Sequence, residues 1–238
     1  MEKLATQFVD LGDIRIAYCE AGSGPALILL HGNSESKAIF ASYQQVHFAA
    51  YRTYALDSRG HGESASIDTQ YTFAQYCKDV TRFCRAKGIE QASVVGYSDG
   101  GNLALFLASR APDLFPKIVA ISPNYLASGL TDGTRRLIRT MAWFTRISEK
   151  LGLSSHRAMM RIDLMLNDIG ISEQELAGIH TGLRILYAEN DMIKEEHILA
   201  MGRIIPGATV RKIAGCNHLN ILHKQATIED IRAYISSS

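Results

Sequence analysis

Three polar residues that could together perform nucleophilic chemistry each lie at the end of a predicted strand. Ser98 stands in ASVVGYSDGG, between an apolar run and a helical pattern, Asp191 closes GLRILYAEND, and His218 lies in ATVRKIAGCNHLN. A serine hydroxyl becomes an effective nucleophile when an imidazole beside it takes its proton, and a carboxylate can orient that imidazole. These residue types predict attack on an ester-like carbonyl.

The residues around Ser98 indicate a sharp turn from strand to helix. Such a turn exposes the hydroxyl at the sheet edge and at a helix N-terminus, where backbone N–H groups favour developing negative charge. The turn also crowds the backbone, so the residues two positions before and after the serine must be small. Gly96 and Gly100 occupy those positions, and Gly101 allows close helix packing. The alternative is an ordinary glycine-rich turn.

This G-x-S-x-G stretch resembles the nucleophile elbow of the α/β-hydrolase family. The resemblance implies the chain order serine, acid, histidine, which Ser98, Asp191 and His218 follow. It also implies an oxyanion hole made by the backbone N–H groups of Asp99 and of Asn33, the latter in a stretch, HGN, that looks like the family's HGx motif. Dehalogenases and epoxide hydrolases of this fold need an aspartate nucleophile, so the serine disfavours their chemistry.

Other residues compete for these roles. Glu189 lies closer to its strand end than the predicted acid, and His223 lies where the final helix approaches and is expected to be solvated. The stretch DSRGHGES also resembles the family, and we expect Asp57 and Arg59 to tie down loops there. His61, in the same stretch, is expected to hydrogen-bond within a loop rather than to act as a second base.

Strand and helix patterns alternate along the chain and predict an α/β fold. We expect a mostly parallel central sheet of about eight strands with helices on both faces, preceded by a hairpin around LGD. Thr72 and Gln75 predict a capping box at a helix start. The alternation stops between residues 124 and 180, where only helical patterns occur. The predicted core therefore comprises residues 1–123 and 181–238, and residues 124–180 form a helical cap insertion.

The cap holds the residues that we consider for substrate binding. Four of the seven methionines and the only tryptophan lie in it, and methionine adapts to irregular apolar partners. The candidates are Met141, Trp143 and Met160, together with Tyr97 beside the nucleophile, and the alternative is that these residues pack the cap onto the core.

Charged residues in and near the cap leave further alternatives open. Seven basic and two acidic residues lie between Thr131 and Arg161, which indicates a solvated helix face, attraction of an anionic substrate or docking to an acidic partner. The carboxylate of Asp99 suits a helix N-terminus or recognition of a cationic substrate group.

Composition limits the partners. The 238 residues are 47% hydrophobic and carry a net charge of +1, so no global field recruits nucleic acid or a membrane surface. No apolar run reaches the roughly 18 residues of a membrane span. The opening MEKLATQFVDLGD lacks a secretory signal pattern, so a cytoplasmic location is expected.

These patterns predict a serine hydrolase that cleaves small carboxylic esters and needs no metal or organic cofactor. Its only predicted partner is a small-molecule ester-like substrate. One alternative is the same machinery acting on an amide, a thioester or an activated carbon–carbon bond. The other is a non-catalytic receptor or scaffold that kept the fold. The natural substrate and the oligomeric state stay open.

Overall fold

A computed structural model describes residues 4–64, 70–153 and 155–237. Residues 1–3 of the stretch considered for a secretory signal lie outside the described residues. The strands are β1 (Thr6–Asp10), β2 (Arg15–Ala21), β3 (Ala26–Leu30), β4 (Arg52–Leu56), β5 (Ala92–Tyr97), β6 (Lys117–Ile121), β7 (Gly182–Asn190) and β8 (Thr209–Asn217). They form one sheet in the order β1-β2-β4-β3-β5-β6-β7-β8. The β1–β2 and β2–β4 pairs are antiparallel and all other pairs are parallel, which confirms the predicted sheet.

The central strands are apolar throughout because both sheet faces are covered. In β3, Ile28 and Leu30 belong to one apolar cluster, whereas Leu27 and Leu29 belong to another on the opposite face. This alternation follows from side chains that point to opposite faces at successive positions. The first face is covered by α1 (Phe73–Ala86), α2 (Asp99–Arg110) and α6 (Glu195–Ile204), and the second by α7 (Gln225–Ser236).

Side-chain caps explain where several helices begin. The Thr72 hydroxyl accepts the N–H of Gln75 at 3.1 Å, as predicted for the start of α1. The second half of the predicted capping box is wrong, because the Gln75 side chain donates toward Asp79 instead. A complete capping box forms between Ser172 and Glu175 at the start of the helix Glu173–Ala177.

The segment 124–180 contains α3 (Asp132–Lys150), α4 (His156–Leu166) and α5 (Glu173–Ala177). Its described residues add no strand to the sheet, and α3 packs against α4. Nowhere in the described ranges does a helix have both the length and the apolar character that crossing a membrane requires.

Candidate active site

The turn at Ser98 connects β5 to α2 and forces the serine backbone into a rare conformation. Its φ is +55°, in the left-handed region that L-residues seldom adopt. A Cβ atom on Gly96 would lie 2.0 Å from the carbonyl oxygen of Gly100, and one on Gly100 would lie 2.1 Å from that of Leu30. The backbone therefore approaches itself too closely at both positions for any residue but glycine.

The structure brings Ser98, His218 and Asp191 together at the carboxyl edge of the sheet. Nε2 of His218 lies 3.0 Å from Oγ of Ser98, and Nδ1 lies 2.7 Å from Oδ1 of Asp191. Because Nδ1 faces a carboxylate, it carries a proton in the neutral ring and leaves the Nε2 lone pair toward the serine. The competing residues lie elsewhere, since Glu189 accepts the N–H of Gly215 and His223 is exposed.

Asp191 is held as a carboxylate by several donors. Burial favours its neutral form, but hydrogen bonds from His218, Ser122 and the Ala188 amide outweigh burial and lower the pKa of Asp191. The Ser122 hydroxyl donates to Oδ2 at 2.5 Å. The role of Ser122 was not foreseen from the sequence. Its position directly after β6, at the same sheet edge as Ser98 and Asp191, could have identified it.

The HGN stretch lies directly against the nucleophile. A Cβ atom on Gly32 would be 3.1 Å from Cβ of Ser98. The His31 ring fixes this loop, because Nδ1 donates to the Gly32 carbonyl and Nε2 accepts the N–H of Ser58. Burial lowers the pKa of His31, which favours this neutral ring. Oε2 of Glu35, which the sequence did not single out, accepts the Gly32 N–H at 2.9 Å.

The two predicted oxyanion donors belong to loops that are tied together beside Ser98. Within the described part of the chain, the backbone N–H groups of Asn33 and Asp99 have no acceptor, and that of Asp99 opens α2. The Asn33 side-chain amide donates to Oδ2 of Asp99 at 2.8 Å and to the carbonyl oxygen of Arg161 in α4 at 2.8 Å. Both N–H groups are therefore available to a substrate oxygen.

The Asp99 carboxylate connects two parts of this site by hydrogen bonds. It accepts hydrogen bonds from the side-chain amides of Asn33 and Asn102. Burial raises the pKa of Asp99 to about 6, although the hydrogen bonds from the two side-chain amides act in the opposite direction. The carboxylate thus links the HGN loop to the start of α2.

Two of the four candidate substrate-binding residues lie inside the molecule. Tyr97 is buried, and its hydroxyl donates to the carbonyl oxygen of His218 at 2.7 Å. This hydrogen bond holds the loop that carries the histidine. Met160 is buried on α4, in the wall of a groove that Phe73 and Phe106 also line.

Met141 and Trp143, the other two candidates, have largely exposed side chains, so their part in substrate binding stays a prediction. Their side chains are 46% and 57% exposed, on the outer face of α3. The helix buries a different stripe, represented by Ile138 and Ala142, and packs against α4. Apolar residues on both faces of α3 made the direction of this helix ambiguous in the sequence.

Among the described residues, no group of three or more His, Cys, Asp or Glu side chains is arranged to hold a metal ion. The imidazole and the carboxylate of the site instead bind each other.

The sheet and the serine–histidine–aspartate arrangement are those of an α/β-hydrolase. Residues 25–149, more than half of the chain, match the family model for the α/β hydrolase fold. The chain belongs to this family.

Relatives and solved structures extend this finding. The chain is 29% identical, over 92% of its length, to the dihydrolipoyllysine-residue acetyltransferase component of the acetoin cleaving system of Cupriavidus necator. It is 34% identical, over 48% of its length, to 2-(acetamidomethylene)succinate hydrolase of Mesorhizobium japonicum. These matches span 66% and 41% of the two relatives. A crystal structure of E-2-(acetamidomethylene)succinate hydrolase shares the fold, with a TM-score of 0.81 at 20% identity over 99% of this chain and 100% of that chain.

Proposed function

We propose that this protein is a serine hydrolase that cleaves small ester-like substrates through an acyl-enzyme on Ser98. The observation that carries this proposal is the hydrogen-bonded series Asp191–His218–Ser98, with its 2.7 and 3.0 Å contacts. The glycine-flanked turn adds support, because its strained backbone holds the hydroxyl toward the imidazole.

Acylation begins when Oγ of Ser98 attacks the ester carbonyl carbon and Nε2 of His218 takes the hydroxyl proton. The carbonyl oxygen becomes an oxyanion, which the N–H groups of Asn33 and Asp99 stabilise. The bond from carbon to the alcohol oxygen then breaks. His218 returns the proton to that oxygen, the alcohol leaves, and the acyl group stays on the serine.

Deacylation repeats these steps with water. Nε2 of His218 takes a proton from a water molecule, whose oxygen attacks the acyl carbon. The bond to Oγ of Ser98 breaks, and His218 returns the proton to that oxygen. The carboxylate of Asp191 stabilises the imidazolium in both halves of the cycle.

Amides are the second candidate substrates. The relative from Mesorhizobium japonicum is a hydrolase whose name denotes an acetamido compound. The same nucleophile and oxyanion donors can act on an amide carbonyl, with the amine leaving in place of the alcohol.

A fluorophosphonate probe tests the proposal. The folded wild-type protein should be labelled on the peptide that contains Ser98, whereas Ser98→Ala and urea-denatured wild type should stay unlabelled. Mass spectrometry locates the label. A folded wild type that neither reacts with the probe nor hydrolyses p-nitrophenyl acetate would favour the non-catalytic receptor or scaffold.

A further inference from the structure

Four buried polar atoms next to the proposed active site have no hydrogen-bond partner within the described residues. They are Nε2 of His61, the hydroxyls of Tyr71 and Tyr76, and Nε of Arg161. Two of the other three such atoms in the described part of the chain, Nε of Arg184 and Oδ1 of Asp230, lie 3.3 Å apart as an ion pair, so the four atoms form the main group. Buried polar groups in native proteins are nearly always paired. A concentration of unpaired ones therefore indicates that a ligand supplies the partners.

These four residues, which we call the polar cluster, surround one stretch of backbone. The ring of His61 lies 6.4 Å from that of Tyr71 and 6.3 Å from that of Tyr76, and the two tyrosine rings are 6.1 Å apart. The Tyr71 hydroxyl would touch a Cβ atom on Gly60, and Nη1 of Arg161 lies 3.5 Å from the Gly60 carbonyl oxygen. The polar cluster is thus a single site formed by a core loop, the start of α1 and cap helix α4.

The polar cluster adjoins the HGN loop. The rings of His61 and His31 are 5.2 Å apart, and His31 precedes Gly32 in that loop. The carbonyl oxygen of Arg161 accepts the Asn33 side-chain amide, which also donates to Asp99. Contacts of His61 with His31 and of Arg161 with Asn33 therefore join the polar cluster to the loop beside Ser98.

The donors of the polar cluster match an anion. Arg161 has no carboxylate at ion-pair distance anywhere in the described residues, although its Nε is buried. Desolvating a guanidinium without a counterion is costly, and carboxylates suit its planar donors. The two tyrosine hydroxyls can donate as well. With a single positive charge, the polar cluster suits a monoanion.

His61 provides an acceptor and adds no charge. Nδ1 of His61 lies 3.1 Å from the Arg59 carbonyl oxygen, so it carries the proton and Nε2 keeps its lone pair. Burial, together with the nearby His31 and Arg161, lowers the pKa of His61 to about 3. The neutral ring can therefore accept one tyrosine hydroxyl while the other hydroxyl and Arg161 face the anion.

We propose that the polar cluster binds a carboxylate of the substrate, so that the preferred substrates are half-esters of small dicarboxylic acids. This substrate class rests on the proposed hydrolase function. The ester carbonyl lies at Ser98, and the free carboxylate at the other end of the acyl group accepts hydrogen bonds from Arg161 and from the one tyrosine hydroxyl, of Tyr71 or Tyr76, that does not donate to His61.

The test compares monoethyl succinate, glutarate and adipate with their neutral ethyl methyl diesters. Wild type should favour at least one half-ester over its diester by roughly tenfold or more in kcat/KM. Arg161→Gln should reduce that preference by roughly tenfold or more, within the range expected for a lost hydrogen bond to a charged group. At least one of Tyr71→Phe and Tyr76→Phe, which remove only a hydroxyl, should reduce it several-fold.

Arg136→Gln is the matched control. Arg136 is exposed on α3, so its replacement removes the same charge from the cap without touching the polar cluster. The preference of Arg136→Gln should equal that of wild type. An equal loss in Arg136→Gln and Arg161→Gln would mean that general electrostatic attraction explains the preference, and would overturn the proposed site.

A binding measurement separates this inference from the hydrolase proposal. Calorimetry should show monoethyl glutarate binding to Ser98→Ala and no binding to the Ser98→Ala, Arg161→Gln double variant. If wild type hydrolyses no ester but Ser98→Ala still binds the half-ester through Arg161, the hydrolase proposal fails and the anion site stands. If wild type hydrolyses diesters and half-esters equally, or if Arg161→Gln leaves their ratio unchanged, the anion site fails and the hydrolase proposal stands.

Discussion

At the scale of single residues, the geometry separates the proposed catalytic histidine from its neighbour in sequence. His218 contacts both Ser98 and Asp191, whereas His223 is exposed. We expect His218→Ala to lower kcat for p-nitrophenyl acetate by about 10³-fold or more, and His223→Ala to stay within about twofold of wild type. Steady-state kinetics on folded variants, checked by circular dichroism, measure this. Equal losses in both variants would contradict the assignment of the base.

The proposed orienting acid has a matched control as well. Asp191→Asn should lower kcat by about 10²-fold or more, because an amide no longer holds the imidazole in the required tautomer. Glu189→Gln should leave kcat nearly unchanged, since Glu189 accepts only a backbone N–H at the protein surface. If Glu189→Gln proved to be the slower variant, the acid would have to be reassigned.

Asp99 should make stability depend on pH in an unusual direction. Its pKa is raised to about 6 from 3.8, so between these values the folded protein holds a proton that the unfolded chain has released. Folding stability contributed by this group therefore falls as the pH rises from about 4 to 6. Relative to Asp99→Asn, which does not titrate, wild type should lose stability across that window.

Urea unfolding of both proteins at pH 4, 5, 6, 7 and 8 measures this difference. We expect the wild-type free energy of unfolding to decline against that of Asp99→Asn up to about pH 6 and then to run parallel with it. A wild-type advantage that grew with pH would show that the Asp99 carboxylate is better stabilised when charged.

The residues that sequence patterns identified and those that they missed differ in one physical respect. Ser98, Asp191 and His218 follow strands, and the parallel sheet sends such positions to one edge. The Ser122 hydroxyl donates to Asp191, and the Glu35 carboxylate accepts the Gly32 N–H. Those contacts depend on side-chain directions after folding, for which the sequence holds no periodic signal.

At the scale of elements, the turn between β5 and α2 depends on glycine. Gly96→Ala should destabilise the protein by about 3 kcal/mol, because the new methyl group would overlap the Gly100 carbonyl. Gly133, in the first turn of α3, has open space around it, so Gly133→Ala should be neutral or stabilising by about 0.5 kcal/mol. Denaturant midpoints with unchanged m-values measure both. A stable Gly96→Ala protein would contradict the close approach of the backbone.

The strands could be predicted better than the helices between residues 124 and 180, because the two kinds of element are buried differently. A continuous apolar run bounded by glycine indicates a strand covered on both faces, and β3 is one. In α3, Ile138 and Ala142 are buried while Leu137, Met141 and Phe144 are exposed. Apolar residues occur on both sides of this helix, so its periodicity could not tell which side faces the core.

At the scale of the whole molecule, buried ion pairs join the loops behind the sheet edge to the helices. Arg59 donates to both carboxylate oxygens of Asp79 in α1 at 2.8 Å, and both residues are buried. Without Asp79, the buried guanidinium loses two buried hydrogen bonds and keeps the half-exposed Asp13 carboxylate, 2.9 Å away, as a counterion. Asp79→Asn should therefore cost about 3 kcal/mol, whereas Asp132→Asn, which breaks an exposed pair with Arg135, should cost under about 0.5 kcal/mol. Equal free energies of unfolding for the two variants would contradict the structural importance of the buried pair.

Four neighbouring strands each deliver one residue to the proposed catalytic arrangement. Ser98 follows β5, Ser122 follows β6, Asp191 follows β7 and His218 follows β8. The hydrogen bonds among them connect the loops along half of the sheet. The acyl-enzyme chemistry proposed here therefore requires the complete core, which is why isolated motifs would have little catalytic value.

Trapping of the acyl-enzyme tests the central claim most directly. Wild type is mixed with p-nitrophenyl acetate, quenched in acid within the first turnover and digested for peptide mass spectrometry. We expect a burst of nitrophenol of about one equivalent, with the acetyl group on Ser98 and none in Ser98→Ala. Undiminished hydrolysis by Ser98→Ala, or an acetyl group that maps to another residue on the reaction pathway, would contradict the claim.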